Sequence, residues 1–304
     1  MKCSISLKLS LAKIIIAARP PFLILAPICV FLGAAIAKFE GNHIDLTHLF
    51  LALFAGICAA IAVNTLNEYQ DFHSGLDNLT EKTPFSGGSG LLPSHPELAP
   101  NILVFCIIAL IITAIIGLYF SLFINPILTY LGVFGIVIIT TYTKWLNRSP
   151  ILCLIAPGVG FGILMVLGSF LVQTHALSLP VLFLTLIPFF LINNLLLLNQ
   201  FPDIEADKIT GRNHIPIKYG TTIASYIMMI FNLLTLSIIL YLAINRLIPM
   251  LAVVCIIPIS LCLWSTPAII KLGKNITERP TLMILNVISA NLVPFLLALC
   301  LWFG

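Results

Sequence analysis

The sequence predicts an all-α fold: a polytopic membrane protein of nine transmembrane helices, with residues 1–304 forming a single domain. Three observations carry this. Of the 304 residues, 60% are hydrophobic and only 9% are charged, too few polar side chains to cover a water-soluble surface. The few charges stand far apart, leaving long uncharged stretches between them. The basic residues gather on alternate connections, as the positive-inside rule requires of cytoplasmic loops.

Taken in order, the first span lies between Arg19 and Lys38 and the second between Asp45 and Glu68. The stretch from Glu97 to Lys144 far exceeds the roughly 20 residues of one membrane helix, and it divides at Asn125-Pro126 into the third and fourth spans. Arg148 to Asp203 divides likewise between Gln173 and Pro180, where Thr174, His175 and Ser178 are polar, giving the fifth and sixth. Lys218 to Arg246, Arg246 to Lys271, and Arg279 to Gly304 complete the nine. The basic start followed by an apolar run has the look of a secretory signal. Pro20, Pro21 and Pro27 interrupt that run and favour a retained span.

With the N-terminus cytoplasmic, Lys38 and Arg246 are the only basic residues outside. Lys2, Lys8, Lys13, Arg19, Lys82, Lys144, Arg148, Lys208, Arg212, Lys218, Lys271, Lys274 and Arg279 all fall inside. The expected location is therefore a multi-pass membrane protein in contact with lipid, in the inner membrane if the cell is bacterial. The net charge of +4 reflects this topology and calls for no nucleic-acid partner. The eight cysteines lie mostly within spans and show no metal-ligand spacing, so they read as packing residues.

The acidic residues are distributed very differently. Glu68, Asp71, Asp77, Glu81, Glu97, Asp203, Glu205 and Asp207 fall in two cytoplasmic loops, at about 67–100 and 199–221, after the second and sixth spans. Both loops begin alike, as Asn67-Glu-Tyr-Gln-Asp71 and Asn199-Gln-Phe-Pro-Asp203, which points to an internal repeat four spans apart with both copies on one membrane face. Residues four apart share a helix face, so Asn67 aligns with Asp71, and Asn199 with Asp203 and Asp207, before Gly75 and Gly211 end the helices. Two carboxylate-bearing ends facing each other would repel unless cations sat between them. Mg²⁺ takes oxygen ligands, with one or two carboxylates supplemented by substrate phosphates. The competing readings are solvated loop charges and, from another class, a secondary transporter, whose acidic site would be expected near the bilayer midplane.

These segments resemble the UbiA superfamily of intramembrane aromatic prenyltransferases. Asn67 to Asp77 is similar to its first Asp-rich motif, in the form typical of the 1,4-dihydroxy-2-naphthoate branch, and Asp203 to Arg212 to its second. Arg19-Pro20, Tyr142-Thr-Lys144 and the run Thr83 to Gly90 also match. Glu68 stands where the family usually carries Asp, and Pro202 where the naphthoate branch tends to carry Arg.

The resemblance implies nine helices around a central cavity, a polyprenyl diphosphate held with Mg²⁺ by the two motifs, and an aromatic acceptor, 1,4-dihydroxy-2-naphthoate or alternatively 4-hydroxybenzoate. Breaking an allylic C–O bond leaves a carbocation and a highly charged diphosphate, so fixed cations must meet the leaving group. Asp71, Asp203 and Asp207 are the leading metal ligands, with Asn67, Glu68, Asp77 and Asn199 supporting them. Asp71, Asp203 and Lys144 are the expected catalytic residues. Arg19, Asn67, Lys82, Tyr142, Lys144, Arg148, Asn199 and Arg212 are the expected substrate contacts. Lys144 and Arg148 have a second reading as ordinary positive-inside anchors. His73 and His214 are candidates to accept the ring proton. The Ser86 to Gly90 run reads either as backbone amides around phosphate or as a flexible linker.

Overall fold

The computed structural model describes residues 13–80, 82–83, 85–174 and 176–304. Lys2, Lys8, Glu81, Pro84 and His175 lie outside the described residues. The described residues form helices and no strands. Eight helices are long and apolar enough to span a bilayer, and Ile127–Thr141 is a shorter apolar one, so the expectation of nine spans is approximately met.

The helices are α1 (Leu25–Phe39, entered through the turn Pro20–Leu23), α2 (Leu46–Ser74), α3 (Ala99–Phe123) and α4 (Ile127–Thr141). They continue as α5 (Pro150–Gln173), α6 (Leu179–Asn199), α7 (Ile215–Ile244), α8 (Ile256–Leu272) and α9 (Pro280–Phe303). The breaks at Asn125-Pro126 and between Gln173 and Pro180 fall where the sequence places them. Proline opens α5, α6, α7 and α9, where its missing amide hydrogen costs nothing. At the other end of the bundle the Asp45 carboxylate caps α2 by accepting from the His48 amide at 2.9 Å.

α1 and α6 occupy the middle of the bundle. Small residues let α1 approach its neighbours closely. A methyl group added at Gly33 would lie 2.3 Å from the Val166 carbonyl oxygen of α5, and the Ser169 hydroxyl donates to the Val30 carbonyl at 2.6 Å. The outer helices present bare apolar side chains, among them Leu122, Tyr130 and Trp264, as a lipid-facing surface requires. Lys38 stacks over Trp302 at 4.3 Å, which puts the far ends of α1 and α9 together. α9 therefore begins at the end of the bundle where the acidic motifs emerge.

α5 is irregular. Pro157 interrupts its hydrogen-bond ladder and residues Gly158–Met165 wind as a π-helix, a departure frequent at functional sites. Gly158 and Gly162 press against the backbone of α6, and the Gly158 amide donates to the Asn193 side-chain oxygen at 2.7 Å. On the opposite side of α5 the helices do not close. α2, α3, α4 and α5 surround a cavity of about 650 Å³ that opens at the acidic motifs.

Candidate active site

The long helix α2 delivers the first motif. Asn67 and Asp71 share a face, and the Asn67 amide donates to Asp71 Oδ2 at 2.9 Å. The Thr143 hydroxyl, just past α4, donates to Asn67 Oδ1 at 2.9 Å and fixes the amide's orientation. Gly75, at φ +79°, ends the helix, and the buried Leu76 anchors the next turn so that Asp77 faces the cavity.

The second motif is built differently from the expected continuous helix. α6 stops at Asn199, the chain turns at Pro202 just after the fully buried Phe201, and Asp203 flanks a separate short helix, Ile204–Ile209. Pro202 donates no amide hydrogen and disfavours helix in the residue before it, so Asn199 is not on one helix with Asp203 and Asp207. Gly211, at φ +82°, then turns the chain back, and Arg212 reaches the centre of the site.

There Arg212 joins the two motifs. Its Nη1 donates to Asp207 Oδ1 at 3.0 Å and its Nη2 donates to Asp71 Oδ1. Burial by itself would lower the guanidinium's pKa, but the two carboxylates outweigh it and raise it. His214 is buried on the far side of Asp207, with Nε2 at 2.9 Å from Oδ2.

A third segment folds over this pair. The run Ser86 to Gly90, for which the sequence offered a phosphate cradle or a loose linker, is tied down by carboxylates. Asp203 lies beside the Ser86 hydroxyl and the Gly87 amide, and both favour its charged form. Glu68, fully buried, accepts from the Ser89 hydroxyl at Oε1 and from the Ser89 amide at Oε2, 3.0 Å away, and Arg19 Nη2 donates to the same Oε2 at 3.3 Å. Lys82 donates to the Ser89 carbonyl. Gly88 passes so close to Asp77 that a methyl group there would lie 2.9 Å from Oδ1, at a backbone φ of +69°.

Of the residues expected from sequence, Arg19, Asn67, Asp71, Asp77, Tyr142, Asn199, Asp203, Asp207 and Arg212 all line one cavity. Glu68 and Lys82 instead hold the Ser86–Gly90 loop from behind. Lys144 and Arg148 are exposed and off the cavity wall, with Lys144 Nζ 5.9 Å from the Trp145 ring. His73 is exposed and bonded to the Tyr69 carbonyl of its own helix. The sequence marked Thr143 and Ser89 only as members of the Tyr142–Lys144 and Thr83–Gly90 segments, and gave no sign that their hydroxyls would bond Asn67 and Glu68.

Oxygen donors dominate the site. Among the described residues no three acidic, histidine or cysteine side chains stand close enough to hold a metal by themselves. Yet Asp77 Oδ2 and Asn199 Oδ1 are buried without a partner, and both residues line the cavity. Burial, with the nearby Glu68 and Asp71 carboxylates, pushes Asp77 up to about 7. Burial and the Asp207 carboxylate push Asp203 up to about 7. Unsatisfied oxygens and carboxylates crowded by like charge fit a hard divalent cation that draws its remaining ligands from a substrate phosphate.

The profile of the UbiA prenyltransferase family matches residues 25–302. The chain belongs to this family. It is 28% identical over 208 residues to the 1,4-dihydroxy-2-naphthoate octaprenyltransferase of Bacillus subtilis, a match covering 66% of the chain and 64% of that relative, just under two thirds of its length. The enzyme of the same name from Escherichia coli is 27% identical over 66% of the chain and 67% of its own length. Among solved structures, a UbiA homologue from Archaeoglobus fulgidus bound to GPP and Mg²⁺ shares the fold with TM-score 0.63 and 16% identity, over 96% of this chain and 100% of that one. A homologue from Aeropyrum pernix in its apo form gives TM-score 0.66 at 15% identity over 88% and 96%. The paired acidic motifs of this family member are thus joined in space by Arg212, at the head of the apolar cavity.

Proposed function

We propose that the protein transfers a polyprenyl group from a prenyl diphosphate to an aromatic acceptor, 1,4-dihydroxy-2-naphthoate, at the cytoplasmic end of the bundle. The observation that carries this reading is the Arg212 bridge: one guanidinium held between Asp71 and Asp207, where a polar head group would meet an otherwise apolar cavity. The naphthoate acceptor is supported by the names of the relatives, and the diphosphate with Mg²⁺ by the ligands of the Archaeoglobus homologue. A transporter reading is weaker because the carboxylates cluster at helix ends and bind the loop that covers them.

In this mechanism Arg212 and Arg19 present fixed positive charge to the diphosphate as its bond to the allylic carbon breaks. Asp71 and Asp207 hold the planar fork of Arg212 in place, a role that Lys would not fill. Asp77 and Asp203, with the unpartnered Asn199 oxygen and the Asp71 and Asp207 carboxylates beside them, would hold Mg²⁺, which would supply positive charge to the departing diphosphate. The Ser86–Gly90 loop and the apolar walls exclude water, which would otherwise capture the carbocation before the acceptor does. Purified protein in lipid, given Mg²⁺, prenyl diphosphates and either 1,4-dihydroxy-2-naphthoate or 4-hydroxybenzoate, should form a prenylated naphthoate identifiable by mass. Product from 4-hydroxybenzoate alone would move the acceptor assignment, and no product with any acceptor would refute the reading.

A further inference from the structure

The part of the cavity below the acidic motifs is walled to an unusual degree by residues without side chains. Gly117 on α3, Gly132 and Gly135 on α4, and Gly160 and Gly168 on α5 all line it. A methyl group added at Gly117, Gly132, Gly160 or Gly168 meets nothing within 4 Å, and at Gly135 it only reaches ordinary contact with Leu164 at 3.7 Å. These glycines do not serve tight helix packing, unlike Gly33, Gly158 and Gly162, where the same methyl would clash with a neighbouring backbone. Glycine is a poor helix former, costing about 1 kcal/mol relative to alanine, so its repeated use where alanine would fit calls for a reason. The space itself is that reason.

The cavity is built for an elongated amphiphile. At its head Asn199 is 7% exposed and its Oδ1 has no partner, an acceptor oxygen left for a ligand. Beyond the glycines the wall ends at the α3–α4 hairpin, with Phe120 and Leu128 packed into the core and the Ser121 and Thr129 hydroxyls bonded to each other. Along α4, at 1.5 Å per residue, Gly135 lies about 10 Å and Gly132 about 15 Å from Tyr142 at the site. The two glycines therefore mark successive depths on one wall.

We infer that Gly132 and Gly135, with Gly117 on the neighbouring α3, set the length of prenyl chain that the protein accepts, by leaving open the space that the tail fills. This inference rests on the proposed prenyl transfer and adds its chain-length selectivity. A bulky side chain at either position fills the channel at a known depth. Short donors end above the obstruction and long ones do not.

The test is prenyl transfer by the full chain in lipid, with geranyl, farnesyl, geranylgeranyl and octaprenyl diphosphates as donors, for wild type, Gly132→Phe and Gly135→Phe. Gly132→Phe should lower kcat/KM for the long donors by about tenfold or more while leaving geranyl diphosphate nearly unchanged, since an overfilled pocket rejects by sterics. Gly135→Phe should move the cutoff to a shorter donor. Gly117→Ala and Gly132→Ala provide smaller steps in case a phenylalanine variant fails to fold, and should shift the donor ratio in the same direction. An unchanged donor profile in folded variants overturns the inference, as does equal loss for all donors. No transfer by wild type with any donor refutes the prenyltransferase reading instead.

Discussion

Arg212 Nη1 lies 3.0 Å from Asp207 Oδ1, five residues back along its own loop, while its other nitrogen reaches Asp71 at the end of a different helix. The second acidic motif thus carries its own counter-charge and offers it to the first.

Arg212→Lys should cost more than its conserved charge suggests. An ammonium cannot span two carboxylates in the fixed fork that the guanidinium uses. Prenyl transfer should fall by about 10² to 10³, the usual cost of one preorganised electrostatic contact. Steady-state kinetics check this, and near wild-type activity would remove Arg212 from the leaving-group site.

Asp71→Asn and Asp203→Asn should each lower transfer strongly, and the double variant by clearly less than the product of the two, because residues serving one bound group are non-additive. Mg²⁺-dependent rates for wild type, both singles and the double, at matched membrane insertion, measure it. Independent loops would give multiplicative effects.

Lys144→Ala should change donor KM by no more than about twofold, since an exposed cation away from the cavity contributes little. Ser89→Ala should instead raise the KM of the diphosphate, because it removes the hydroxyl bond to Glu68, one of the ties that hold the loop over the site. A large Lys144 effect would mean that substrate binding draws the α4–α5 connection inward.

The raised values of Asp77 and Asp203 give a pH dependence. Both stand at about 7 in the folded protein, against about 3.9 for an unfolded aspartate. Between those values the folded state binds more protons than the unfolded one, so the metal-free protein loses stability as pH rises from about 4 to above 7. Thermal midpoints in detergent with a chelator should fall from pH 5 to pH 8. Added Mg²⁺ should narrow the gap, and Asp77→Asn combined with Asp203→Asn should flatten the profile.

Reporter fusions should find the N-terminus cytoplasmic and the C-terminus outside, as the crowding of basic residues on one side requires. A cytoplasmic C-terminus would contradict the odd number of spans.

The sequence by itself determined the all-helical membrane fold, the boundaries at Asn125-Pro126 and Gln173–Pro180, and the two acidic segments. Those features are local: hydropathy, proline placement and carboxylate spacing each act within a few residues. Only the tertiary structure decided which groups meet. It joined Arg212 to Asp71 across the bundle, turned Ser86–Gly90 from a linker into a strap on Glu68 and Asp203, and left Lys144 outside. It also separated glycines that pack helices, such as Gly33, from glycines that face the cavity, such as Gly132. No pattern in one dimension marks that difference, because it depends on what another helix places opposite each residue.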